Sequence, residues 1–362
     1  MSCDAVNYRT YFPSTPTSKE EADFPIAVVR SVYQDYYLLE LMLSASYQPQ
    51  NFYCFAMDNS SAPEFKRNLR QLADCFDNVH VPLVEQPLDG GGHWQYAAHR
   101  DCLAWLNDKE KRWRYVTILQ NHDFPMKTNL EMVRVFKIFN ESNDVLVTPE
   151  PGRINKKLNW TIGNLELFLD KEKQARLAST TISWAKGVNE MSISRAAMDY
   201  MMNEMNLTKL ISMIDDGKTY GVDEIMYNTL LSMETLQIPG HFTQKCIKEP
   251  PNFVTRHSAW SWDPDCRSKI FRHALCMFGV EDLVPNLNNH KFQLYANKFM
   301  PDVDFNSIVC WLETLHNRTH IWKETKLDTI FYQNQAFVRY QNLKNEHGEV
   351  PTEVLRHFKC NV

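Results

Sequence analysis

Residues 113–137, WRYVTILQNHDFPMKTNLEMVRVFK, decide the class of fold. Their first part, 115–119, is a short run of apolar and β-branched residues, which is typical of a buried strand. The polar turn 120–123 ends that run, and Pro125 cannot donate to a β-ladder. Thr128, three residues before a glutamate, gives a capping-box pattern that predicts the start of a helix. Strand, polar turn and helix form the junction at which open α/β sheets bind ligands, although an ordinary connection would give the same pattern.

The same alternation of strands and helices occupies the first third of the chain. Strands are predicted at 24–32, 52–57 and 79–84, and helices at 36–47, 64–75 and 93–106. This spacing predicts a mostly parallel sheet with helices on both faces. Further along, the predictions are a strand at 144–148, helices at 193–210 and 220–233, and a terminal helix and tail at 313–362.

Composition restricts the class of protein. The chain has 362 residues, of which 44% are apolar and 23% charged, so it is globular. A net charge of −5 argues against a nucleic-acid partner, because such proteins usually carry a basic patch. No window reaches the roughly 18 apolar residues that a membrane span needs. The polar start, MSCDAVNYRTYF, is not a signal peptide, and by itself it indicates a cytosolic protein.

Cysteines and glycosylation sequons point the other way. None of the nine cysteines has the spacing of a zinc site, so no metal is expected. Sequons favour the secretory pathway only weakly, because some arise by chance. The five candidates for N-glycosylation are Asn59, Asn140, Asn159, Asn206 and Asn317.

Three blocks resemble the core-2/I-branching β-1,6-N-acetylglucosaminyltransferases, glycosyltransferase family 14. The blocks are FPIA…NFYC at 24–54, DFPMKTN at 123–129 and YANKF at 295–299. The resemblance runs from about Cys3 to Cys310. It implies an α/β fold of the glycosyltransferase-A-like (Rossmann-like) type, with a mostly parallel sheet flanked by helices in a single domain. We divide the chain into a lead-in (1–23), a catalytic domain (24–312) and a C-terminal helix and tail (313–362).

The resemblance also implies a disulfide framework and a compartment. The implied bridges are Cys3–Cys75, Cys54–Cys102 and Cys266–Cys276. Cys310 matches a family cysteine whose partner lies in an upstream stem. The partner of Cys310 in this chain therefore stays open, and it is Cys246, Cys360 or none. Family members are anchored Golgi proteins, which implies the Golgi lumen, with membrane contact only through an upstream anchor. Because the sequence begins at the catalytic domain, we interpret it as a truncated product or an anchorless relative.

Glu224, in YGVDEIMYNTL, matches the catalytic base in the family's SPDE-x-x-WATIQ segment. An inverting sugar transfer needs a carboxylate that takes the proton of the acceptor hydroxyl as it attacks the anomeric carbon. The match is partial, since Gly221 and Val222 replace Ser-Pro and the Trp is absent. An ordinary pair of acids in the first turn of a helix is the alternative.

Two basic residues match the family's diphosphate site. Arg272 lies in CRSKIFRHALC and Lys298 in YANKFMPDVD. The family is metal-independent, and a basic pair can neutralise a departing diphosphate through charge-assisted hydrogen bonds. The letters of an Asp-x-Asp metal motif occur at 263–265, but in a loop rich in Trp and Cys rather than after a strand. Two solvated surface cations are the alternative for the basic pair.

The nucleotide and acceptor regions match less well. Asp58 aligns with a family aspartate that is a candidate for uridine or ribose binding. The family's His-His is Tyr-Gln at 33–34, and GGGHWQ at 90–95 replaces a segment that contains an arginine. The glycine turn is a candidate to receive phosphate or simply a tight turn. The basic loop 153–157 lies where the family has acceptor contacts, but no role is assigned to its residues.

Aromatic residues are the candidate acceptor contacts. Trp260 and Trp262 follow Arg256 in a pattern similar to the family's Arg-x-x-x-Trp-x-Tyr. Flat aromatic faces suit the C–H faces of sugars, whereas burial in the core is the alternative. Trp262 in place of Tyr suggests a different acceptor.

The resemblance therefore implies an inverting, metal-independent transferase without a cofactor. It would move N-acetylglucosamine from UDP-GlcNAc to a hydroxyl of a glycan or glycoprotein through a β-1,6 bond. Two alternatives remain open. One is a xylosyltransferase-like variant of the same family, and the other is a non-catalytic sugar-binding relative with a degenerate donor site.

Overall fold

The computed structural model describes residues 2–108, 110–289, 292–322 and 327–361. Within these ranges, the strands are β1 (Ile26–Val32), β2 (Phe52–Met57), β3 (Val79–His80), β4 (Tyr115–Gln120), β5 (Phe124–Pro125), β6 (Thr148–Pro149), β7 (Ala185–Lys186), β8 (Met191–Ser194), β9 (Arg256–Ser258), β10 (Phe271–Arg272), β11 (Leu275–Cys276) and β12 (Tyr295–Asn297).

The helices of the described ranges are mostly short. They are α1 (Cys3–Arg9), α2 (Lys19–Ala22), α3 (Tyr36–Ser46), α4 (Pro63–Ala73), α5 (Gln95–Leu106), α6 (Asn129–Phe139), α7 (Ile162–Leu165), α8 (Lys171–Arg176), α9 (Arg195–Asn203), α10 (Thr208–Ile214), α11 (Met226–Leu230), α12 (Val280–Asn289), α13 (Phe305–His316), α14 (Thr329–Gln333), α15 (Ala336–His347) and α16 (Thr352–His357). Single 3₁₀ turns lie at Val222–Glu224, Glu234–Leu236 and Gln244–Lys248, and a π-helical turn follows α13 at Asn317–Trp322.

A five-stranded sheet forms the centre of the molecule, in the order β3-β2-β1-β4-β8. The first four of these strands are mutually parallel, and β8 runs antiparallel to β4. The predicted mostly parallel α/β sheet is therefore confirmed. The capping box predicted at Thr128 is also present and begins α6, which follows the central strand β4.

The sheet separates two hydrophobic cores because side chains alternate across it. In β2, Cys54 and Ala56 face the core formed with α5, α6, α9 and α15. Tyr53, Phe55 and Met57 face the opposite core, which includes residues of α3, α4 and α13. Both faces of the central strands are thus buried, as expected for parallel strands.

A second sheet stands beyond the carboxyl end of β4 and has the order β5-β12-β9. Strand β12 is antiparallel to β5 and parallel to β9. Lys298 follows directly after β12, and Arg272 lies in the separate hairpin β10–β11. The two cations predicted at the diphosphate site are therefore carried outside the central sheet.

The prediction of one helix over 193–210 is wrong. Residues 191–194 form β8 and pair with β4 from Tyr115 to Ile118. The Ser194 side chain then caps α9, and α10 starts separately at Thr208. Pairing with the sheet overrides the local helical spacing, which is common for short apolar runs. The helix predicted over 220–233 is likewise a 3₁₀ turn followed by the short α11.

Two strands are shorter than predicted. The third strand ends at His80 instead of residue 84, where Pro82 has no N–H for a ladder. Of the strand predicted at 144–148, only Thr148 belongs to a strand, and Asp144 makes a single bridge to Ser192.

The C-terminal region is more than one helix and a tail. Helices α13 to α16 occupy it, and positions 323–326 and 362 lie outside the described residues. Phe337 and Tyr340 of α15 are buried in the same core as α5 and α6. The division of the chain at residue 312 stays a prediction.

Four disulfides tie the fold together. The three implied bridges are present, and the fourth joins Cys246 to Cys360. Cys310 is free and exposed, which settles the pairing that the sequence left open. Among the described helices, none combines the length and the apolar character that a bilayer crossing requires.

Candidate active site

Glu224 ends the 3₁₀ turn Val222–Glu224, which begins after Gly221. Gly221 has a φ of 74°, and a Cβ at this position would lie 2.2 Å from Nη1 of Arg153. The Glu224 carbonyl accepts a hydrogen bond of 2.8 Å from the Gly187 N–H. Glycines at 187 and 221 therefore allow the neighbouring segments to approach the base candidate closely.

The Glu224 carboxylate is held by two cations. Its Oε2 lies 2.5 Å from Nη1 of Arg153 and 3.0 Å from Nζ of Lys186, and its side chain is 26% exposed. Each cation also donates 2.8 Å to a backbone carbonyl, Arg153 to Gly221 and Lys186 to Gly187. The sequence placed the basic loop 153–157 near the acceptor site but gave no signal for Lys186.

The glycine turn at 90–92 packs against the same segment. The Gly221 N–H donates to the Gly91 carbonyl at 2.7 Å. A Cβ on Gly92, whose φ is 83°, would lie 2.0 Å from Oδ1 of Asp223. Asp223 is buried, and burial raises its pKa to about 7, with a further increase from the charge of Glu224. The turn thus lies beside the candidate base.

Arg272 and Lys298 share one electrostatic environment. Arg272 is 44% exposed and pairs with Asp302 at 2.7 Å. The hairpin that carries it is closed by the Cys266–Cys276 bridge. Lys298 is half-buried, and its pKa is lowered by burial and also by the charges of Arg256 and Arg272. Arg272 Nη1 also donates 3.3 Å to the sulfur of Met300, two residues beyond Lys298, so the two cations lie in the same region of the structure.

The loop after β1 faces the same cations. Burial and the charge of Asp35 raise the pKa of Tyr33, whereas the charge of Arg272 opposes that shift. Asp35 is bound by His122 at 2.6 Å between Oδ2 and Nε2. The charge of Arg272 therefore acts on Tyr33, the first residue of the Tyr-Gln pair at 33–34.

Asp58 lies directly after β2, and its carboxylate is engaged within its own turn. Its Oδ1 accepts 2.9 Å from the Ser60 N–H, and its Oδ2 accepts 2.8 Å from the Ser60 hydroxyl. Such an Asx turn orders the backbone at the end of the strand. The geometry gives Asp58 a local role and leaves its contact with a nucleotide a prediction.

The polar turn after β4 is buried instead of open to a ligand. Asn121 Oδ1 accepts 2.8 Å from the Tyr33 N–H, which fixes the loop after β1. Asp123 is fully buried, and its Oδ1 accepts 2.8 Å from the Asn297 side chain, next to Lys298. The turn thus holds the loop after β1 and the segment that leads to Lys298.

The two tryptophans form a stacked pair. The rings of Trp260 and Trp262 have centroids 5.1 Å apart and planes 5° apart. Trp262 is 71% exposed, so burial in the core does not apply to it. The pair offers a flat aromatic surface, which suits a sugar ring.

The Asp-x-Asp letters at 263–265 serve a different purpose. Asp263 Oδ2 accepts 2.7 Å from the Trp260 N–H and orders the turn of the stacked pair. In the described part of the chain, one group of His, Cys, Asp and Glu has the geometry of a metal cluster, formed by Cys266, Cys276 and Asp282. Its two sulfurs form a disulfide, and its carboxylate accepts from the Gly279 and Ser268 N–H groups, so it does not fit a metal.

A buried acid that the sequence analysis did not select lies between the two ends of the candidate site, which are Glu224 and Lys298. Glu190 is 1% exposed and pairs with Nη1 of Arg256, which also lies 3.4 Å from Oδ1 of Asp123. Burial raises the pKa of Glu190 to about 8, against the opposing charge of Arg256. The charge of Glu224 also acts on Arg256 and helps to raise its pKa. The only sequence signal was a charged residue directly before a buried strand.

Comparison with known proteins matches residues 26–285 to the family model described as Core-2/I-Branching enzyme. The chain is 28% identical over 331 residues to a rat protein named β-1,3-galactosyl-O-glycosyl-glycoprotein β-1,6-N-acetylglucosaminyltransferase 3, covering 88% of this chain and 74% of the relative. A human β-1,3-galactosyl-O-glycosyl-glycoprotein β-1,6-N-acetylglucosaminyltransferase is 29% identical over 331 residues, covering 87% and 75%. A relative of the same name from Bovine herpesvirus 4 is 28% identical over 330 residues, covering 87% and 73%.

Proposed function

The chain belongs to the core-2/I-branching enzyme family, a family of glycosyltransferases, and from this premise we propose its reaction. We propose that it transfers N-acetylglucosamine from UDP-GlcNAc to a glycan hydroxyl through a β-1,6 bond, with inversion at the anomeric carbon. One observation carries the proposal. A chain of contacts through Glu190, Arg256 and Asp123 links the segment that holds the Glu224 carboxylate to Lys298. The other cation, Arg272, donates to the sulfur of Met300, two residues beyond Lys298.

Glu224 is the proposed base. Both of its ion pairs fall on Oε2, so Oε1 is the oxygen that carries neither of them. In the proposed reaction, the oxygen of the acceptor hydroxyl attacks the anomeric carbon. A carboxylate oxygen of Glu224 accepts the proton of that hydroxyl at the same time. The bond to the UDP oxygen breaks in the same step, and UDP leaves with the electron pair.

Arg272 and Lys298 are the proposed diphosphate contacts, without a metal. The Arg272–Asp302 pair is exposed, and exposed pairs contribute about 0–1 kcal/mol, so a diphosphate can replace Asp302 at little cost. A guanidinium and an ammonium can each make charge-assisted hydrogen bonds to phosphate oxygens. The charge of the departing UDP is offset by these side chains, which is the role that a metal has in many other transferases.

The acceptor is proposed to be an O-glycan. The printed names of the relatives specify β-1,3-galactosyl O-glycosyl glycoproteins, and this chain is proposed to use the same class. The stacked pair Trp260 and Trp262 is the proposed sugar-facing surface. Four disulfides favour an oxidising compartment, in agreement with a protein of the Golgi lumen.

A non-catalytic sugar-binding protein is the second candidate. The observation in its favour is that Arg153 and Lys186 both occupy Oε2 of Glu224, as in a structural ion pair. A lectin-like protein would bind the glycan without needing UDP, so nucleotide binding distinguishes the two candidates.

The proposal is tested by a transfer assay with a glycopeptide that carries a β-1,3-galactosyl O-glycan. UDP-GlcNAc and UDP-xylose are supplied in parallel, with and without EDTA, and the product linkage is determined by NMR. We expect a β-1,6-linked N-acetylglucosamine product that is insensitive to EDTA. Transfer of xylose alone, loss of transfer in EDTA, or glycan binding without any transfer would each contradict it.

A further inference from the structure

The segment 186–190 supports the proposed base and also leads to Glu190. Lys186 pairs with the Glu224 carboxylate, and the Gly187 N–H donates to the Glu224 carbonyl. The Val188 carbonyl accepts 3.1 Å from the side chain of Asn228, which lies in α11 directly after the base. Three consecutive residues thus fix the position of Glu224, and Glu190 is two residues further along the same backbone.

Arg256 belongs to the other end of the candidate site, where Lys298 lies. It lies opposite Tyr295 in the parallel pairing of β9 with β12, and β12 leads directly to Lys298. Its Nη1 also approaches Asp123, whose Oδ1 accepts from Asn297, the residue before Lys298. Arg256 is therefore attached to the sheet that carries the proposed diphosphate contact.

The buried contact between Glu190 and Arg256 joins these two ends. The two side chains are 1% and 7% exposed, so neither is available to contact a substrate directly. A carboxyl oxygen of Glu190 can accept from the guanidinium in either protonation state, so the contact does not depend on the ionisation of the acid.

We propose that the Glu190–Arg256 contact is a positioning element that sets the distance between the base Glu224 and the diphosphate contact Lys298. The inference rests on the proposed function and adds two residues that touch no substrate. A buried carboxyl–guanidinium pair adds little to stability compared with apolar residues of the same size, whereas it can specify one arrangement. Misplacement of reacting groups by about 1 Å can reduce a rate by about a hundredfold.

The test compares turnover with nucleotide affinity in Glu190→Met, which is close to the wild type in side-chain length and has no oxygen to accept from Arg256. We expect kcat to fall about tenfold or more, because the base shifts relative to the anomeric carbon. The Kd for UDP, measured by calorimetry, should stay within about twofold, because Arg272 and Lys298 remain on their own segments.

The matched control is Glu131→Met, which breaks another buried acid–arginine pair, with Arg318, on α6. It also removes a capping bond, so it should lower the Tm at least as much while leaving kcat unchanged. A fall in kcat for Glu190→Met with unchanged UDP affinity, and no fall for the control, supports the inference.

Unchanged kcat in Glu190→Met overturns the inference, and so does a parallel loss of kcat and UDP affinity that follows the Tm. If Glu190→Met does not fold, the Arg256→Lys variant is tested instead. A lysine has a single ammonium group in place of the guanidinium, so it cannot contact both Glu190 and Asp123. A folded Arg256→Lys variant with wild-type kcat overturns the inference in the same way. Absence of UDP binding by the wild-type protein would instead overturn the proposed function, and this inference with it.

Discussion

The two ends of the proposed site, the base end at Glu224 and the diphosphate end at Arg272 and Lys298, differ in how firmly their charged groups are held. At the base end, Glu224 is 26% exposed and is contacted by two cations that are themselves anchored to backbone carbonyls. At the diphosphate end, Arg272 is 44% exposed and pairs with Asp302, which is 58% exposed. The diphosphate end is thus open to exchange one anion for another, whereas the base end is already assembled.

This difference indicates how the work of the site is divided. An exposed pair is weak in water, so a diphosphate can displace Asp302 from Arg272. The base segment instead keeps its geometry through glycines and hydrogen bonds, which is the arrangement expected where position matters most. The following predictions test the two ends separately.

The largest expected effect is that of Glu224→Gln. Removing the base should lower kcat by about a hundredfold or more, the usual contribution of general-base catalysis. The Kd for UDP should not change, because the proposed diphosphate contacts, Arg272 and Lys298, are at the other end of the proposed site. Steady-state kinetics and calorimetry on the same preparation measure both. Full turnover by this variant would remove Glu224 from the base role.

The next effect concerns the bridge that closes the Arg272 hairpin. The double variant Cys266→Ser, Cys276→Ser should weaken UDP binding several-fold. The disulfide joins cysteines ten residues apart, and without it the hairpin is no longer constrained. The control is the double variant Cys246→Ser, Cys360→Ser. It removes a disulfide whose cysteines are 114 residues apart in the sequence and which does not close the hairpin. The control should lose more thermal stability and keep its UDP affinity. The reverse ranking would contradict the placement of the diphosphate site.

A smaller effect is expected for Asp302→Asn. Without the competing carboxylate, Arg272 is released for the diphosphate, and UDP should bind about twofold to fivefold more tightly. The gain should shrink at high salt, since the pair is exposed and salt screens it. Calorimetric titrations at two ionic strengths check this prediction, and weaker binding by the variant would show that Asp302 assists the nucleotide.

The smallest effect is a pH dependence of stability that comes from two buried acids. Glu190 and Asp223 have pKa values of about 8 and 7, raised by burial, so each holds its proton more tightly in the folded state. The free energy of unfolding should therefore fall as pH rises from about 6.5 to about 8.5, beyond the range in which unfolded acids titrate. We expect the Tm to decrease by a few degrees, and less so in Glu190→Gln. An equal decrease in the variant would exclude Glu190 as the cause.

The sequence predicted the parallel part of the fold well because each of its elements carries its own signal. Phe52–Met57 was predicted to the residue, and the capping box at Thr128 is present. Ile193 and Ser194 were mispredicted as the start of a helix because a strand of four residues that is antiparallel to β4 gives little local signal. Its pairing partner is distant in sequence, which no local pattern reveals.

The candidate site was predicted only where the resemblance supplied it. Arg272 and Lys298 lie in the same region, although Arg272 is in the hairpin β10–β11 and Lys298 follows β12 of another sheet. Lys186 and Glu190 were missed because their contacts are distant in the sequence. Lys186 contacts Glu224, 38 positions away, and Glu190 contacts Arg256, 66 positions away. The turn 120–123 was expected to meet a ligand, but its buried side chains orient the loop after β1 and the segment that leads to Lys298.

The most direct test of the central claim is calorimetric titration of UDP into the folded protein in EDTA, with Arg272→Ala as the comparison. We expect the wild-type protein to bind UDP without a metal and Arg272→Ala to lose most of this affinity. Absence of binding by the folded wild-type protein, or binding that appears only when a divalent metal is added, would contradict a metal-free nucleotide site formed by Arg272 and Lys298.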